Sequence, residues 1–167
     1  VTIEGRVYGG ELFVEPRSGG GLRAVVRLPL EDYVEGVVAS ELSIWSASPA
    51  ELEAQAIAAR TFAAATVRQR RAAGVPERLT DGVLDQAFRG RFVPGASSGS
   101  RDAARRLAEA VRATRGVVLL RGDRLEEARY HAACGGRTAD FAEVFRREVR
   151  ERGAVGPRGV SCRPCYD

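Results

Sequence analysis

With 167 residues, of which 44% are hydrophobic and 29% charged, the chain is long enough for one compact domain with a core and too short for two ordinary ones. That balance excludes an intrinsically disordered chain, no apolar run reaches the roughly 18–20 residues of a membrane span, and three cysteines are too few for a disulfide-stapled miniprotein. The net charge of +4 suits an anionic partner, but the arginines are scattered, only Arg68, Arg70 and Arg71 cluster, and aromatic residues at 7% offer few stacking platforms, so nucleic acid is not an expected partner.

In chain order, Val1 to Tyr8 reads as a strand, Gly9-Gly10 as a hairpin turn, and Glu11 to Glu15 as the returning strand. Gly19-Gly20-Gly21 predicts a further turn before a strand over Leu22 to Leu28. Pro29 then punctuates the chain, and a helix is expected over Leu30 to Leu42. A long second helix is expected from Pro49 to Ala73, with Ser48 as N-cap, Pro49 at the first helical position and Glu51 completing a capping box. Leu52, Ala56, Ala59, Ala63 and Val67 give it a face of mostly small residues, and Gly74 stops it.

Arg78 to Ser100 reads as a loop, longer than most structureless connections and of the kind that often carries function. Ser100 is the predicted cap of a third helix over Arg101 to Arg115, closed by Gly116. Val117 to Leu120 and Leu125 to Ala133 read as a hairpin around Gly122-Asp123. The expected class is α+β: a single domain of about three helices packed on small antiparallel sheets, with residues 1–26 as N-terminal strands of the same unit and 27–167 as the main domain. All 26 basic residues are Arg, and Lys, Asn and Met are missing; this bias reads as a GC-rich genome. A chain starting Val1-Thr2-Ile3 shows neither an initiator nor a signal peptide, so a mature form or an excised domain is expected, with any membrane attachment through a segment outside it.

Glu41 carries the strongest chemical signal. Counted at about 100° per residue, Val34, Val37 and Glu41 all fall within about 40° of Leu30, which sets a carboxyl on the apolar stripe; Glu31, Asp32 and Glu35 point elsewhere, toward solvent. Burial near a helix C-terminus would hold a proton on Glu41, as a general acid needs. An acid at a frayed helix end, or one paired with an Arg such as Arg60, fits the same pattern. Gln55 and Arg60 flank the small-residue face of the second helix; Arg60 reaches into a cleft, pairs with an internal acid, or snorkels. Tyr130 to Thr138 holds the single His131 beside Cys134 and the pair Gly135-Gly136, whose backbone N–H groups can turn toward a ligand. One Cys beside one His also permits a cysteine hydrolase. Cys162-Arg163-Pro164-Cys165 adds a Cys-x-x-Cys; with His131 and Cys134 it gives a Cys₃His set for a structural zinc, while a disulfide or free thiols fit the same residues.

Leu28-Pro29-Leu30-Glu31-Asp32-Tyr33-Val34 followed by Val38-Ala39-Ser40-Glu41-Leu42 resembles the SpoIID/LytB domain of stage II sporulation protein D and of amidase enhancers. The resemblance continues through Glu53 to Ala63, Asp81 to Gly90, Thr114-Arg115-Gly116 and Tyr130 to Thr138, so it covers about residues 27 to 145. It implies a lytic transglycosylase that cleaves peptidoglycan glycan strands between N-acetylmuramic acid and N-acetylglucosamine, outside the cytoplasm, with Glu41 at the catalytic glutamate position. No cofactor is needed for that chemistry. Gln55, Arg60, Gln86, Tyr130 and Thr138 are the candidate substrate-orienting residues, Arg60 for a lactyl carboxylate. A zinc loop of some members would fall at Asp81 to Gln86, where this chain has neither Cys nor His, so a zinc on His131, Cys134, Cys162 and Cys165 would not be inherited from it. The amidase-enhancer branch implies the other reading, a glycan-binding module without catalysis that partners a cell-wall amidase.

Overall fold

The computed structural model describes residues 1–82, 84–130, 137–146 and 150. Described residues form six short strands and four helices: β1 Thr2–Ile3, β2 Arg6–Val7, β3 Glu11–Pro16, β4 Leu22–Arg27, α1 Leu30–Glu41, α2 Pro49–Ala72, α3 Ser98–Ala113, β5 Leu120–Arg121, β6 Arg124–Leu125 and α4 Phe141–Val144. Each strand pairs antiparallel with its neighbour in three separate two-stranded sheets. This is the expected α+β class. The chain falls into two compact units, Val1–Ala128 and Arg129–Asp167; α1 to α3 and all six strands belong to the first.

The core of the first unit lies among the helices. Val34, Val37 and Val38 of α1 meet Leu52, Ala56, Ala59 and Ala63 of α2 and Ala103, Leu107, Ala110 and Val111 of α3, with Ile44 and Phe88 closing the cluster. The alanines along α2 keep that face shallow, so two helices approach it closely. The hairpins lie at the margins, and β3 is exposed along most of its length.

Local chemistry sets the helix ends. The Ser48 Oγ accepts from the Glu51 amide at 3.3 Å while the Glu51 carboxylate accepts from the Ser48 amide at 2.7 Å, the reciprocal capping box read from the sequence. α3 starts earlier than expected because Ser97, not Ser100, is its cap: the Ser97 Oγ accepts from the Ser100 amide at 3.1 Å. The Ser100 hydroxyl instead accepts from the Gly95 amide at 2.7 Å and ties down the preceding loop.

The first hairpin also differs from expectation. Its turn is Glu4-Gly5, both with positive φ, and Gly9-Gly10 lies beyond it. Gly10 marks a close approach: a Cβ there would sit 2.1 Å from the Arg27 carbonyl oxygen. Of the strand expected over Leu125 to Ala133, only Leu125 lies in β6 among the described residues, where Gly122-Asp123 closes a hairpin of two residue pairs, and 131–133 lie outside the described residues.

Candidate active site

The long loop after α2 is a strap that crosses back over α1, and its anchors are specific. Asp85, nearly buried, takes a 2.7 Å ion pair from Arg70 and accepts from the Thr80 amide at 2.7 Å. Gln86, 2% exposed, bridges two helices: the Tyr33 hydroxyl donates to its Oε1 at 3.2 Å, and its Nε2 donates to the Ala59 carbonyl at 3.4 Å. Phe88 enters the core beside Tyr33, ring centroids 5.0 Å apart. The Arg89 amide donates to the Ser40 Oγ at 3.1 Å. Gly36 permits this contact, since a Cβ there would lie 2.3 Å from the Phe88 ring and 2.7 Å from the Gly90 carbonyl oxygen.

Between those anchors the strap meets Glu41. The Ala87 amide donates to Glu41 Oε1 at 2.7 Å, and among the described residues Oε2 has no hydrogen-bond partner. Glu41 is exposed rather than enclosed by the apolar stripe. It is the last residue of α1, and Leu42 leaves the helix in an extended conformation (φ −124°, ψ 144°). The stripe is buried where α2 and α3 cover it, and at the final turn the strap takes the carboxyl instead. The expected apolar enclosure is thus replaced by a single backbone hydrogen bond that orients the group.

Arg60 does not share that site. It is 1% exposed, and all five of its N–H groups have acceptors. Nε and Nη2 grip the Glu31 carboxylate at 3.0 and 2.7 Å, Nη1 donates to the carbonyls of Ala56 (3.3 Å) and Val117 (3.1 Å), and Nη2 also donates to Val111 (3.5 Å). Of the sequence alternatives, the internal acid is the one found, and the acid is Glu31, expected to face solvent. Glu31 and Glu41 stand at opposite ends of α1, about 15 Å apart along its axis. The hydrogen bond from Arg60 and, less strongly, its charge hold the Glu31 carboxyl below its ordinary value against the opposing pull of burial.

Gln55 is half-buried on α2, and among the described residues its buried Nε2 has no hydrogen-bond partner. Tyr130 and Thr138 belong to the second unit. His131, Cys134, Cys162 and Cys165 lie outside the described residues. Glu41 and the Ala87 backbone of the strap are therefore brought together, while the Gln86 side chain is turned into the core against Tyr33 and Ala59 and Arg60 is directed elsewhere.

A cavity of about 120 Å³ lies on another side of α1, lined by Gly9, Leu28, Asp32, Glu35, Phe88 and Arg91. It is smaller than ligand pockets usually are. Glu35 is half-buried there rather than pointing into solvent; burial pushes its carboxyl up, Arg91 pulls it back, and Asp32 adds to the rise. Asp85 was missing from the sequence reading. The signal for Asp85 was the neighbouring cluster Arg68, Arg70, Arg71, which needs an acid nearby; Arg71 likewise pairs with Glu77.

A family model for SpoIID, stage II sporulation protein, matches residues 18–120, well over half of the chain. The chain belongs to the SpoIID family. The matched segment holds Glu41, the strap, Gln55, Arg60 and Gln86, and ends before Tyr130. No curated protein matches the sequence significantly. No helix among the described residues is long and apolar enough to cross a membrane.

Proposed function

We propose that this SpoIID-family chain is a lytic transglycosylase acting on peptidoglycan glycan strands outside the cytoplasm, with Glu41 as its single acid and base. The observation that carries this reading is the Ala87–Glu41 hydrogen bond. It fixes one carboxyl oxygen and leaves the other open at the surface, inside the segment that the family shares.

One carboxyl suffices for this reaction, whereas a hydrolytic glycosidase ordinarily needs two. Protonated Glu41 gives its proton to the glycosidic oxygen as the C1–O bond breaks. The carboxylate left behind takes the proton of the muramyl C6 hydroxyl, whose oxygen bonds to C1 and closes a 1,6-anhydro ring. No water is consumed, and the proton count on Glu41 is restored. Because Glu41 is exposed, a glycan lying over it would itself exclude the water that the fold does not.

The exposure of Glu41 favours a second reading, in which the chain binds glycan without cutting it and assists a cell-wall amidase. Mass spectrometry of peptide-free glycan strands after incubation separates the two: transglycosylation leaves anhydromuramyl ends, and binding alone leaves strand lengths unchanged. A structural zinc on His131, Cys134, Cys162 and Cys165 is a separate proposal, tested by metal analysis of protein purified without added zinc.

A further inference from the structure

The α1–α2 connection carries an aromatic side chain that packing does not explain. Ser43 to Ala47 forms a tight turn in which the Ser46 and Ala47 amides donate to the Ser43 carbonyl at 3.3 and 3.0 Å. Ile44 and Ala47 are buried in the core, while Trp45, between them, is 57% exposed. The turn is held from outside as well. Arg106 of α3, paired with Asp102 at 3.1 Å, donates to the carbonyls of Ile44 (3.0 Å), Trp45 (3.2 Å) and Ala47. Phe92, rooted against the core, meets the indole edge-to-face with centroids 6.0 Å apart. The buried side chains of Ile44 and Ala47, a guanidinium clamp on the backbone and an aromatic backing thus fix a large ring and leave more than half of it open.

The strap runs along the same border: Ala87 at Glu41, Arg89 at Ser40, Phe92 at Trp45. Trp45 lies four positions beyond Glu41, so their Cα atoms are at most about 14 Å apart. We infer that Trp45, backed by Phe92, is a stacking subsite for a pyranose ring of the glycan whose scissile bond lies over Glu41. The axial C–H groups of a sugar carry partial positive charge and meet the negative face of the indole, while the ring hydroxyls and amides stay hydrated at the rim. The inference rests on the glycan-strand reading above. It adds a positioning residue whose contribution is to binding and register and not to the proton transfers.

Trp45 is the single tryptophan of the chain, so intrinsic fluorescence reports on this position alone. Titrating the full chain with peptide-free glycan strands is expected to shift and saturate that emission. Trp45→Ala is expected to weaken binding in a co-sedimentation assay about tenfold and to raise KM while sparing kcat, with an unchanged melting temperature; Trp45→Tyr should restore most of the loss. Glycan that binds without moving the emission, or a Trp45→Ala protein that binds as tightly as the parent, would overturn the subsite. Saturable emission changes without new chain ends would support the subsite and remove the transglycosylase, whereas no glycan binding at all would remove both.

Discussion

Two acidic residues on one helix carry opposite tasks. Glu31 neutralises a buried guanidinium, and Glu41 is held by one amide at the surface. Removing one partner of a buried pair leaves the other charge uncompensated, so Arg60→Ala should destabilise the chain by about 3–5 kcal/mol in denaturant titration. Arg60→Lys should also be destabilising, since an ammonium cannot match the five-acceptor fork. An Arg60→Ala protein as stable as the parent would contradict a structural role. Two partly buried carboxyls on this helix, Glu31 and Glu35, are shifted in opposite directions and make stability depend on pH. Glu31 is depressed below its ordinary 4.5, so its contribution is fully present above that value and is lost as pH falls through the folded one. Glu35 is raised by burial, so its contribution is present below 4.5 and is lost as pH rises through its folded value. Glu35→Gln should therefore gain stability relative to the parent between pH 4 and pH 7; a difference that stays flat or reverses in thermal melts would exclude this.

The strap and α1 form one device. Gly36 lets Phe88 and the Gly90 carbonyl pass against the helix, and that contact sets Ala87 over Glu41. Gly36→Ala should cost about 1–3 kcal/mol through overpacking and should also reduce glycan cleavage, because the amide that orients Glu41 shifts with the strap. Full activity in a destabilised Gly36→Ala protein would separate the strap from the chemistry. The helices were legible in the sequence because caps and periodicity are local signals: Ser48, Pro49 and Glu51 act within one turn. The strap was legible only as a long loop, since Asp85, Gln86 and Phe88 depend on partners far along the chain. For the same reason Gly9-Gly10 resembled a turn, although the tight fit of Gly10 against Arg27 becomes visible only in three dimensions. The stripe of α1 was read correctly as far as α2 and α3 cover it and incorrectly at Glu41, where the covering element is the strap.

At the scale of the molecule, the first unit concentrates the core, the strap, Glu41 and the exposed Trp45, and the family segment lies within it. The net charge of +4 leaves a mildly basic surface suited to an anionic polymer without a dedicated cluster. The most direct measurement is the rate of anhydromuramyl product formation by Glu41→Gln on peptide-free glycan strands. The amide keeps an acceptor for Ala87 and cannot shuttle a proton, so product formation should fall at least about a hundredfold with the fold and glycan binding retained. Products appearing at the parental rate would contradict Glu41 as the acid and base.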